Sequence, residues 1–432
     1  MKALEITGRQ RACGTIQVEG NKNAALPMVA ATLLTDEPVV LHNVPDILDV
    51  KNMLALAVEM GVSVRKIDES STVELCAKGF CNASPSKKLC HAIRTSLLFA
   101  GPMAARHGEA HIHKPGGDEI GRRRLDPHFY GLGRLGIDAT ATDDGRYHFQ
   151  RRATGLTGAS LFLDEASVTA TEHLLMAAVL AQGTTTIRNA ACEPHVTQLA
   201  QLLNAMGAQI SGLETNVLVV QGVRQLHGAE FTIGADHVNA ASFLALAAAT
   251  QGHVEVIGEI IPHDYWMTRR VFQKLGANLV IEPGRLTLDQ EAPLAVQNDF
   301  DGIMPTIADG PWPHFPSDMM SCLIVAATQA QGSVLFFEKM FESRIYFVDR
   351  LIAMGANAVV CDPHRAVISG PSRLHGAELL SPDIRAGMAL VVAACCAHGT
   401  SLIRNADMIY RGYQRLPESL RQLGIKLRQV EM

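Results

Sequence analysis

The chain has 432 residues, of which 47% are apolar and 19% are charged, with a formal net charge of −5. This length exceeds what a single hydrophobic core usually supports, so we expect two domains. The slightly acidic balance gives no general attraction to nucleic acid or to membrane surfaces. The longest apolar run, residues 388–397, is too short to span a bilayer, and the first residues contain no apolar signal region. We therefore expect a cytoplasmic protein.

Nine cysteines are scattered along the chain without a CxxC motif or a paired Cys/His spacing. That usage is typical of cytosolic thiols and predicts neither a disulfide framework nor a zinc site. The sequence contains no P-loop and no GxGxxG motif after a strand. It therefore implies no metal and no cofactor.

Six copies of one short sequence pattern occur at regular intervals along the chain. In each copy an apolar helix end reaches a glycine and is followed by a strand-like alternation, and consecutive glycines are 69 to 79 residues apart. A glycine at this point supplies the left-handed cap that ends many helices. The six capping glycines are Gly61, Gly136, Gly207, Gly276, Gly355 and Gly424. Their regular spacing predicts an internally repeated fold.

Each copy carries the same further elements. An Ala/Leu-rich helix is followed by a turn and a β-branched strand, then by an amphipathic helix that ends at the capping glycine, and then by one or two strands. The repeated unit is therefore βαβαββ. Its first helix is apolar on nearly every side, so we expect these helices to be buried beneath the sheets. Six units divide naturally into three and three.

The second copy contains extra residues in the segment HKPGGDEIGRRRLDPH, residues 113–128. This segment has three glycines, two prolines and three consecutive arginines. A flexible cationic loop inserted into one copy predicts a lid over an anionic ligand. The alternative is a solvated basic surface loop.

Three residues that lead into the apolar helices are cations, where Ser, Thr, Asp or Asn caps are usual. They are Lys22, Arg94 and Arg385. A cation at a helix N-terminus opposes the helix dipole, so these residues are expected to serve another purpose. Together they predict a site for a dense anion such as phosphate. The alternative is that each reaches solvent or pairs with a carboxylate, as Asp383 could with Arg385.

Long motifs throughout the chain resemble those of the enolpyruvyl transferases. They are GNKNAALP, PGGDEIGRRRLDPH, SVTATEHLLMAA, FPSDMM, MFESR, DIRAG and YRGYQRL. The resemblance covers essentially the whole chain and implies an α/β fold of two inverse α/β barrel domains, each of three βαβαββ repeats. It places residues 1–20 with 232–432 in one domain and 21–231, with a catalytic loop at 113–126, in the other. It also implies an active site in the cleft between the domains.

The activity that this resemblance implies is transfer of the enolpyruvyl group of phosphoenolpyruvate to the 3-hydroxyl of UDP-N-acetylglucosamine, with release of phosphate. This reaction is the first committed step of peptidoglycan synthesis. The implied partners are these two small molecules, without nucleic acid or membrane.

The resemblance also implies roles for individual residues. Asp118, Asp318, Lys22 and Arg411 would be catalytic. Lys22, Arg94, Arg123 and Arg411 would hold the phosphate and carboxylate of phosphoenolpyruvate, with Arg385 in support. Asn23 and Asp318 would face the sugar. The residues expected to line the nucleotide pocket are Arg123, Leu125, Asp126, Pro127, Ser167, Val168, Thr169, Met340 and Phe341.

Three positions depart from the family pattern. Asp118 stands where most relatives have a loop cysteine, and a carboxylic acid can take over its proton-transfer role. Glu165 stands where many relatives carry a lysine that contacts the nucleotide. Tyr410 stands where an aspartate is usual.

Other functions stay open at this point. The first is a paralogue that uses another nucleotide or nucleoside acceptor. A shikimate-3-phosphate enolpyruvyl transferase shares the fold, but its acceptor motifs differ from this loop. A DNA clamp would carry Lys/Arg rows on its inner helices, whereas these helices are Ala/Leu-rich. An RNA 3′-phosphate cyclase shares the βαβαββ unit, but the chain lacks a broad basic or aromatic surface.

Overall fold

A computed structural model of the protein describes residues 2–67, 71–116 and 124–431. These residues form two compact units. The C-terminal unit contains residues 2–19 and 235–431, and the central unit contains the described residues of 20–234. We infer that these units correspond to the two predicted domains, 1–20 with 232–432 and 21–231.

The strands of the described ranges are numbered in chain order. They are β1 Lys2–Thr7, β2 Cys13–Gln17, β3 Val39–His42, β4 Ser63–Ile67, β5 Thr72–Cys76, β6 Glu109–His113, β7 Ile137–Ala141, β8 Arg146–Arg151, β9 Ser160–Phe162, β10 Thr184–Arg188, β11 Gln209–Ser211, β12 Val217–Gln221, β13 Ala229–Thr232, β14 His253–Ile257, β15 Leu279–Glu282, β16 Arg285–Asp289, β17 Thr306–Ala308, β18 Gly332–Phe337, β19 Asn357–Asp362, β20 Arg365–Gly370, β21 Glu378–Leu380, β22 Thr400–Arg404 and β23 Leu427–Glu431.

The α-helices of the same ranges are numbered likewise. They are α1 Lys22–Ala31, α2 Leu48–Glu59, α3 Lys87–Ala92, α4 Ala100–His107, α5 Asp126–Leu135, α6 Val168–Ala178, α7 Pro194–Ala205, α8 His237–Thr250, α9 Trp266–Lys274, α10 Ser317–Thr328, α11 Val348–Ala353, α12 Ile384–Cys396, α13 Ala406–Ile409 and α14 Leu416–Gln422. A 3-10 segment, Arg94–Phe99, leads into α4. None of these helices is long and apolar enough to cross a membrane.

The strands form six sheets in the described ranges, three in each unit. Five sheets have four strands, each with one parallel pair at an edge, as in β9 beside β10. A parallel pair needs a crossover connection, which the buried helix of the repeat supplies in three of these sheets, as α6 does between β9 and β10. The sheet of β6, β8 and β7 has three described strands, and beside it the Ala83 carbonyl accepts from the His111 amide (2.8 Å). The repeated βαβαββ unit is thus confirmed in the observed element order.

Strands distant in sequence complete the sheets. β13 lies parallel to β3 in the central unit, although nearly 200 residues separate them. In the C-terminal unit, β2 pairs with β14, and β1 lies between β22 and β23. Both ends of the chain therefore belong to one sheet of that unit.

The first helix of most repeats is enclosed by apolar residues, as predicted. Every residue of α8 is buried, and α12 is buried from Ile384 to Cys395. In the second repeat the corresponding segment begins as the 3-10 turn Arg94–Phe99 before it becomes α4. Each unit has its own hydrophobic core around these helices. A helix without a polar face can only be stable in such a position.

The six repeat glycines all adopt the left-handed conformation, which confirms the predicted caps. Their φ angles lie between 79° and 105°. Gly276 and Gly424 have almost the same angle, 79° and 80°, but different surroundings. A Cβ added at Gly276 would lie 2.5 Å from the Ala295 carbonyl oxygen, whereas one at Gly424 would meet nothing within 4 Å.

This pair separates backbone strain from steric overlap within one unit. We expect Gly424→Ala to cost about 1 kcal/mol of unfolding free energy through the left-handed backbone alone. Gly276→Ala should cost clearly more, because its new methyl group also overlaps a carbonyl oxygen. Urea unfolding of the two variants measures the difference. Equal losses would show that the contact with Ala295 has no energetic weight.

Candidate active site

The buried helices expose side chains almost only at their first turn. In α10 every residue is buried except Asp318. In α1 only Lys22 and Asn23 escape burial, and in α6 only Val168 and Thr169. All five were predicted as site residues. The predicted positions therefore coincide with the accessible ends of helices that are otherwise enclosed in the core.

The cap positions of these helices hold conventional capping residues. The Asn21 side chain accepts from the backbone N–H groups of Asn23 (2.8 Å) and Ala24 (3.2 Å) at the start of α1. Asp383 caps α12 in the same way, accepting from the backbone N–H of Arg385 (2.7 Å). The expectation that cations replace the caps is therefore wrong for α1 and α12. The N–H groups are satisfied by polar side chains, and the cations begin one or two residues inside.

Lys22 and Arg94 are held by specific contacts in the central unit. Lys22 Nζ lies 3.2 Å from Asp49 Oδ2, and the exposed fractions of the two side chains are 13% and 5%. Asp49 is in the first turn of α2, where a carboxylate also faces the positive end of the helix. The Arg94 guanidinium donates to the carbonyl oxygen of Arg124 (3.3 Å). The alternative of pairing with a carboxylate thus holds for Lys22.

The segment after the predicted loop is anchored at the start of α5. Leu125 occupies the cap position, and Asp126 and Pro127 begin the helix. Arg124 Nε lies 3.0 Å from Asp126 Oδ2. The hydrogen bond and charge of Asp126 raise the pKa of Arg124, and the carboxylate of Glu165 adds to this. The departure at Glu165 thus places a carboxylate within electrostatic reach of an arginine.

Two residues on which the predicted chemistry depends, Asp118 and Arg123, lie outside the described residues. The predicted lid is described only at residues 113–116 and 124–126. Their roles stay predictions.

Two buried histidines form a hydrogen-bonded chain that ends at Thr169. The Gly101 backbone N–H donates to His173 Nε2 (2.6 Å), His173 Nδ1 meets His128 Nδ1 (3.0 Å), and His128 Nε2 meets the Thr169 hydroxyl (3.2 Å). Burial holds the pKa of His128 well below its usual value, and His173 and Arg94 lower it further. Burial lowers the pKa of His173 to about 3. Both rings are therefore neutral at physiological pH.

The direction of this chain follows from its first donor. A backbone N–H can only donate, so His173 Nε2 is an acceptor and its proton lies on Nδ1. That proton points to His128 Nδ1, which leaves the His128 proton on Nε2, where it donates to Thr169. The Thr169 hydroxyl thus keeps its own proton available for another acceptor.

In the C-terminal unit, Asp318 forms salt bridges with two arginines. Arg344 donates from a terminal nitrogen to Oδ1 (2.6 Å), and Arg385 Nε donates to Oδ2 (3.1 Å). Both arginine side chains are 6% exposed, whereas that of Asp318 is 31% exposed. Charge-assisted hydrogen bonds to both oxygens favour the ionised carboxylate and fix its orientation. The predicted residues Asp318 and Arg385 therefore lie together.

Further groups hold the buried guanidinium of Arg385. It donates to the Asn239 side chain (3.3 Å) and to the Tyr413 hydroxyl (3.4 Å), and it lies over the Tyr413 ring. The Tyr413 hydroxyl also shares a hydrogen bond with Ser242 (2.7 Å). This network lets a buried cation keep a fixed position.

Met340 and Phe341 are positioned through their backbone. Both N–H groups donate to one oxygen of Glu338, at 3.1 and 3.0 Å, while Ser317 donates to the other (2.7 Å). Burial, with the neighbouring Asp309, raises the pKa of Glu338 to about 8. The Met340 side chain remains 42% exposed. The buried carboxyl group of Glu338 thus fixes the backbone of Met340, whose apolar side chain is accessible to solvent.

Arg411 lies apart from the Asp318 cluster in sequence and has its own surroundings. Its guanidinium contacts the Met408 sulfur (3.4 Å). Beside it, burial and then Asp407 raise the pKa of Tyr410 to about 12, so this residue is a neutral phenol. The departure at Tyr410 therefore removes the negative charge that an aspartate would place next to Arg411.

The sequence profile of the EPSP synthase (3-phosphoshikimate 1-carboxyvinyltransferase) family matches residues 6–420. The chain belongs to this family. It is 50% identical over 414 residues to the UDP-N-acetylglucosamine 1-carboxyvinyltransferase of Treponema denticola, covering 96% of each chain. It is 49% identical over 425 residues to the enzyme of the same name from Bradyrhizobium diazoefficiens, covering 98% of this chain and 97% of the relative. The resemblance inferred from the motifs is thereby confirmed.

Solved structures of the family share the fold. The enolpyruvyl transferase NikO from Streptomyces tendae superposes with a TM-score of 0.88 over 99% of this chain and 98% of its own, at 23% identity. EPSP synthase from Acinetobacter baumannii gives 0.76 over the whole of both chains, at 18% identity. The predicted two-domain α/β fold is therefore confirmed.

Sequence reasoning missed three partners that the structure reveals. They are Asp49 beside Lys22, Arg344 beside Asp318, and His173 behind Thr169. Arg344 lies in the quoted motif MFESR, so its motif was the available signal. His173 lies four residues after Thr169 on α6, within the quoted motif SVTATEHLLMAA, so that motif was also an available signal. Asp49 comes from another element, α2, and no spacing along the chain predicts its contact with Lys22.

The buried histidines predict a specific loss of stability in acid. The unfolded chain binds a proton at His173 below about pH 6.5, whereas the folded protein does not until about pH 3. A histidine with a depressed folded pKa therefore lowers stability as pH falls through this window. Between pH 7 and pH 5 this group alone should cost about 2 kcal/mol of unfolding free energy.

Urea unfolding of wild type and His173→Asn at both pH values tests this. Asparagine cannot titrate but can still donate towards His128, so the variant should lose less stability on acidification. His227→Asn, at an exposed histidine, is the control and should behave as wild type. An undiminished acid loss in His173→Asn would contradict the assignment.

Proposed function

We propose that this protein transfers the enolpyruvyl group of phosphoenolpyruvate to the 3-hydroxyl of UDP-N-acetylglucosamine, with release of phosphate. The observation that carries this proposal is full-length similarity. Relatives of 43–50% identity that bear the name UDP-N-acetylglucosamine 1-carboxyvinyltransferase match 96% or more of the chain. The reaction would be the first committed step of peptidoglycan synthesis, carried out in the cytoplasm on two small-molecule substrates.

The anionic groups of phosphoenolpyruvate would be held by cations. We assign this role to Lys22, Arg94, Arg123 and Arg411. The ion pair of Lys22 with Asp49 supports the assignment, because it fixes the ammonium group before substrate arrives. Cations fixed in advance stabilise charge that develops on a leaving phosphate without costly reorganisation.

Asp318 would act as the base that takes the proton of the sugar hydroxyl. A general base must be ionised and oriented, and the two hydrogen bonds from Arg344 and Arg385 favour both conditions. Asn23, at the accessible end of α1, would face the sugar with it. Arg385 then acts through Asp318 as a positioning residue.

The other proton transfer is assigned to Asp118. Addition of the hydroxyl oxygen to C2 of phosphoenolpyruvate requires a proton at the C3 methylene carbon. Loss of phosphate and of a C3 proton then restores the double bond in the product. Excluding water during these steps protects the cationic centre at C2.

The nucleotide would lie against residues 123–127, 167–169, 340 and 341. Support comes from Thr169, whose hydroxyl proton is available for an acceptor, and from the exposed side chain of Met340. Glu165 would repel a diphosphate, but Arg124 lies within its electrostatic reach and offsets part of that charge.

Phosphate release from phosphoenolpyruvate, measured with a panel of sugar nucleotides and nucleosides, tests the proposal. UDP-N-acetylglucosamine should give the highest kcat/KM. A higher value with another nucleoside or nucleotide would establish the paralogous function instead. No release with any acceptor would overturn enolpyruvyl transfer altogether.

Replacing a cation of the anion site should be costly. We expect Lys22→Ala or Arg411→Ala to lower kcat/KM about a hundredfold, or by roughly 3 kcal/mol, because each removes a charge-assisted contact that is stronger in the transition state. Arg124→Ala should cost far less, because its exposed side chain pairs with Asp126 and is not assigned to the phosphoenolpyruvate site, and the carbonyl that Arg94 uses is retained. If Arg124→Ala lowered kcat/KM as much as Lys22→Ala or Arg411→Ala does, the assignment of the anion contact to Arg123 rather than Arg124 would be wrong.

The aspartate at position 118 predicts resistance to fosfomycin, which inactivates cysteine-bearing members of the family by alkylating the loop thiol. A carboxylate attacks an epoxide far more slowly than a thiolate does. We expect wild type to keep its activity during incubation with fosfomycin. Asp118→Cys should be active before the incubation and should be inactivated by fosfomycin. Asp118→Ala should lose most turnover.

The same residue predicts the alkaline limb of the pH profile. An ordinary aspartate, with a pKa near 3.9, is almost fully ionised at neutral pH, whereas a cysteine near 8.5 is protonated. The rate should therefore decline towards alkaline pH earlier in wild type than in Asp118→Cys. Stoichiometric inactivation of wild type by fosfomycin, or full activity of Asp118→Ala, would contradict the assignment.

A further inference from the structure

Three side chains that commonly bind metals converge on the outer face of the β6–β8–β7 sheet. Along β6, Ala110 and Ile112 point into the core, so Glu109 and His111 lie on the opposite face. On β8, Phe149 is buried, which places His148 on that same outer face. The alternation of these strands therefore presents two imidazoles and one carboxylate to a common surface.

Strand pairing fixes the two histidines opposite one another. His111 and His148 are direct cross-strand partners in the antiparallel ladder. Their rings are parallel within 1°, and the centroids are 4.2 Å apart. Their positions depend on backbone hydrogen bonds rather than on flexible loops, so the pair is preorganised.

Glu109 completes the group. Its Oε2 lies 3.7 Å from His111 Nε2 and 3.6 Å from His148 Nε2. One ligand atom from each residue lies within 4.8 Å of the other two. Three ligands around a tetrahedral zinc ion are about 3.3 Å apart, given metal–ligand distances of about 2.0–2.1 Å. The carboxylate is thus close to that separation, and the half-buried rings need only tilt towards it.

The histidines also have unused polar atoms. Among the described residues, His111 Nδ1 and His148 Nε2 are shielded from solvent without a hydrogen-bond partner. Arg146, on the same strand as His148, is itself paired with Asp144 at 2.5 Å. A neutral imidazole has the lone pair that a metal requires.

We propose that Glu109, His111 and His148 form a binding site for a divalent transition-metal ion of the zinc class. Imidazole donors favour Zn²⁺, Co²⁺, Ni²⁺ or Cu²⁺ over Mg²⁺ and Ca²⁺, which prefer oxygen ligands. The Glu109 side chain is 52% exposed, which gives an ion access from solvent and leaves a further coordination position for water. A bound ion would tie β6 to β8 directly before the segment 114–116. The site does not depend on the proposed transferase activity.

Cysteine spacing does not predict this site, because its ligands are two histidines and a glutamate. The pattern is Glu-x-His on one strand and a single His on the strand that pairs with it. Only the register of the hairpin brings them together.

Titration of the full-length protein without a polyhistidine tag tests the proposal. Co²⁺ is the probe, because its visible absorption reports the ligand set, and Zn²⁺ is then added in competition. We expect one high-affinity ion per chain, with intense tetrahedral absorption, no thiolate-to-cobalt charge-transfer band, and displacement by Zn²⁺. His111→Ala, His148→Ala and the conservative Glu109→Gln should each weaken binding by at least about tenfold.

His253→Ala provides a matched control. His253 also faces a carboxylate across an antiparallel pair, at 3.4 Å from Asp289, and its removal should leave the titration unchanged. Thermal unfolding of the metal-free variants verifies that they are folded. Millimolar or weaker binding to wild type, a thiolate band, or unchanged binding in Glu109→Gln and both histidine variants would overturn the site.

Discussion

Several charged side chains enter the interior of this protein at the first turn of a buried helix. A helix packed on every side has no solvated face, but its first N–H groups still need partners and its positive end favours anions. Asn21 and Asp383 satisfy those groups, and the neighbouring Lys22 and Arg385 are neutralised by Asp49 and Asp318. The hydrophobic packing that stabilises each unit therefore also fixes where polar chemistry can occur. The proposed substrate-binding positions therefore follow from where the buried helices begin.

The fold was largely predictable because its signals are local and repeated. A capping glycine, an apolar helix and alternating strands are each encoded within a few residues, and six copies reinforce one another. The positions of Lys22, Asp318 and Thr169 followed from motifs. Their partners did not, since Asp49, Arg344 and His128 reach them from other elements, and side-chain contacts across elements leave no period in the sequence. The caps of α1 and α12 were predicted at the wrong residues because an apolar pattern does not fix the residue at which a helix starts.

The surroundings of Glu165 and Tyr410 offset the charge changes that these two departures from the family pattern bring. Glu165 adds a negative charge where a cation is usual, yet an arginine lies within its reach. Tyr410 removes a negative charge but stays neutral in its half-buried position. Nearby, His173 and His128 form an oriented chain of dipoles that stays uncharged at neutral pH. Each change alters the local field without leaving a buried ion unpaired.

The position of β1 between β22 and β23 has a consequence for synthesis of the chain. β1 is made before the other described strands and must wait for partners some 400 residues later, whereas residues 20–234 include every described strand of the central unit. At about 5–20 residues per second, that delay is of the order of a minute. The central unit can therefore close while the protein is still being made. The C-terminal unit can close only after β22 and β23 have been made. Until then β1 and β2 lack their partners, so they are the segment that most needs protection from aggregation.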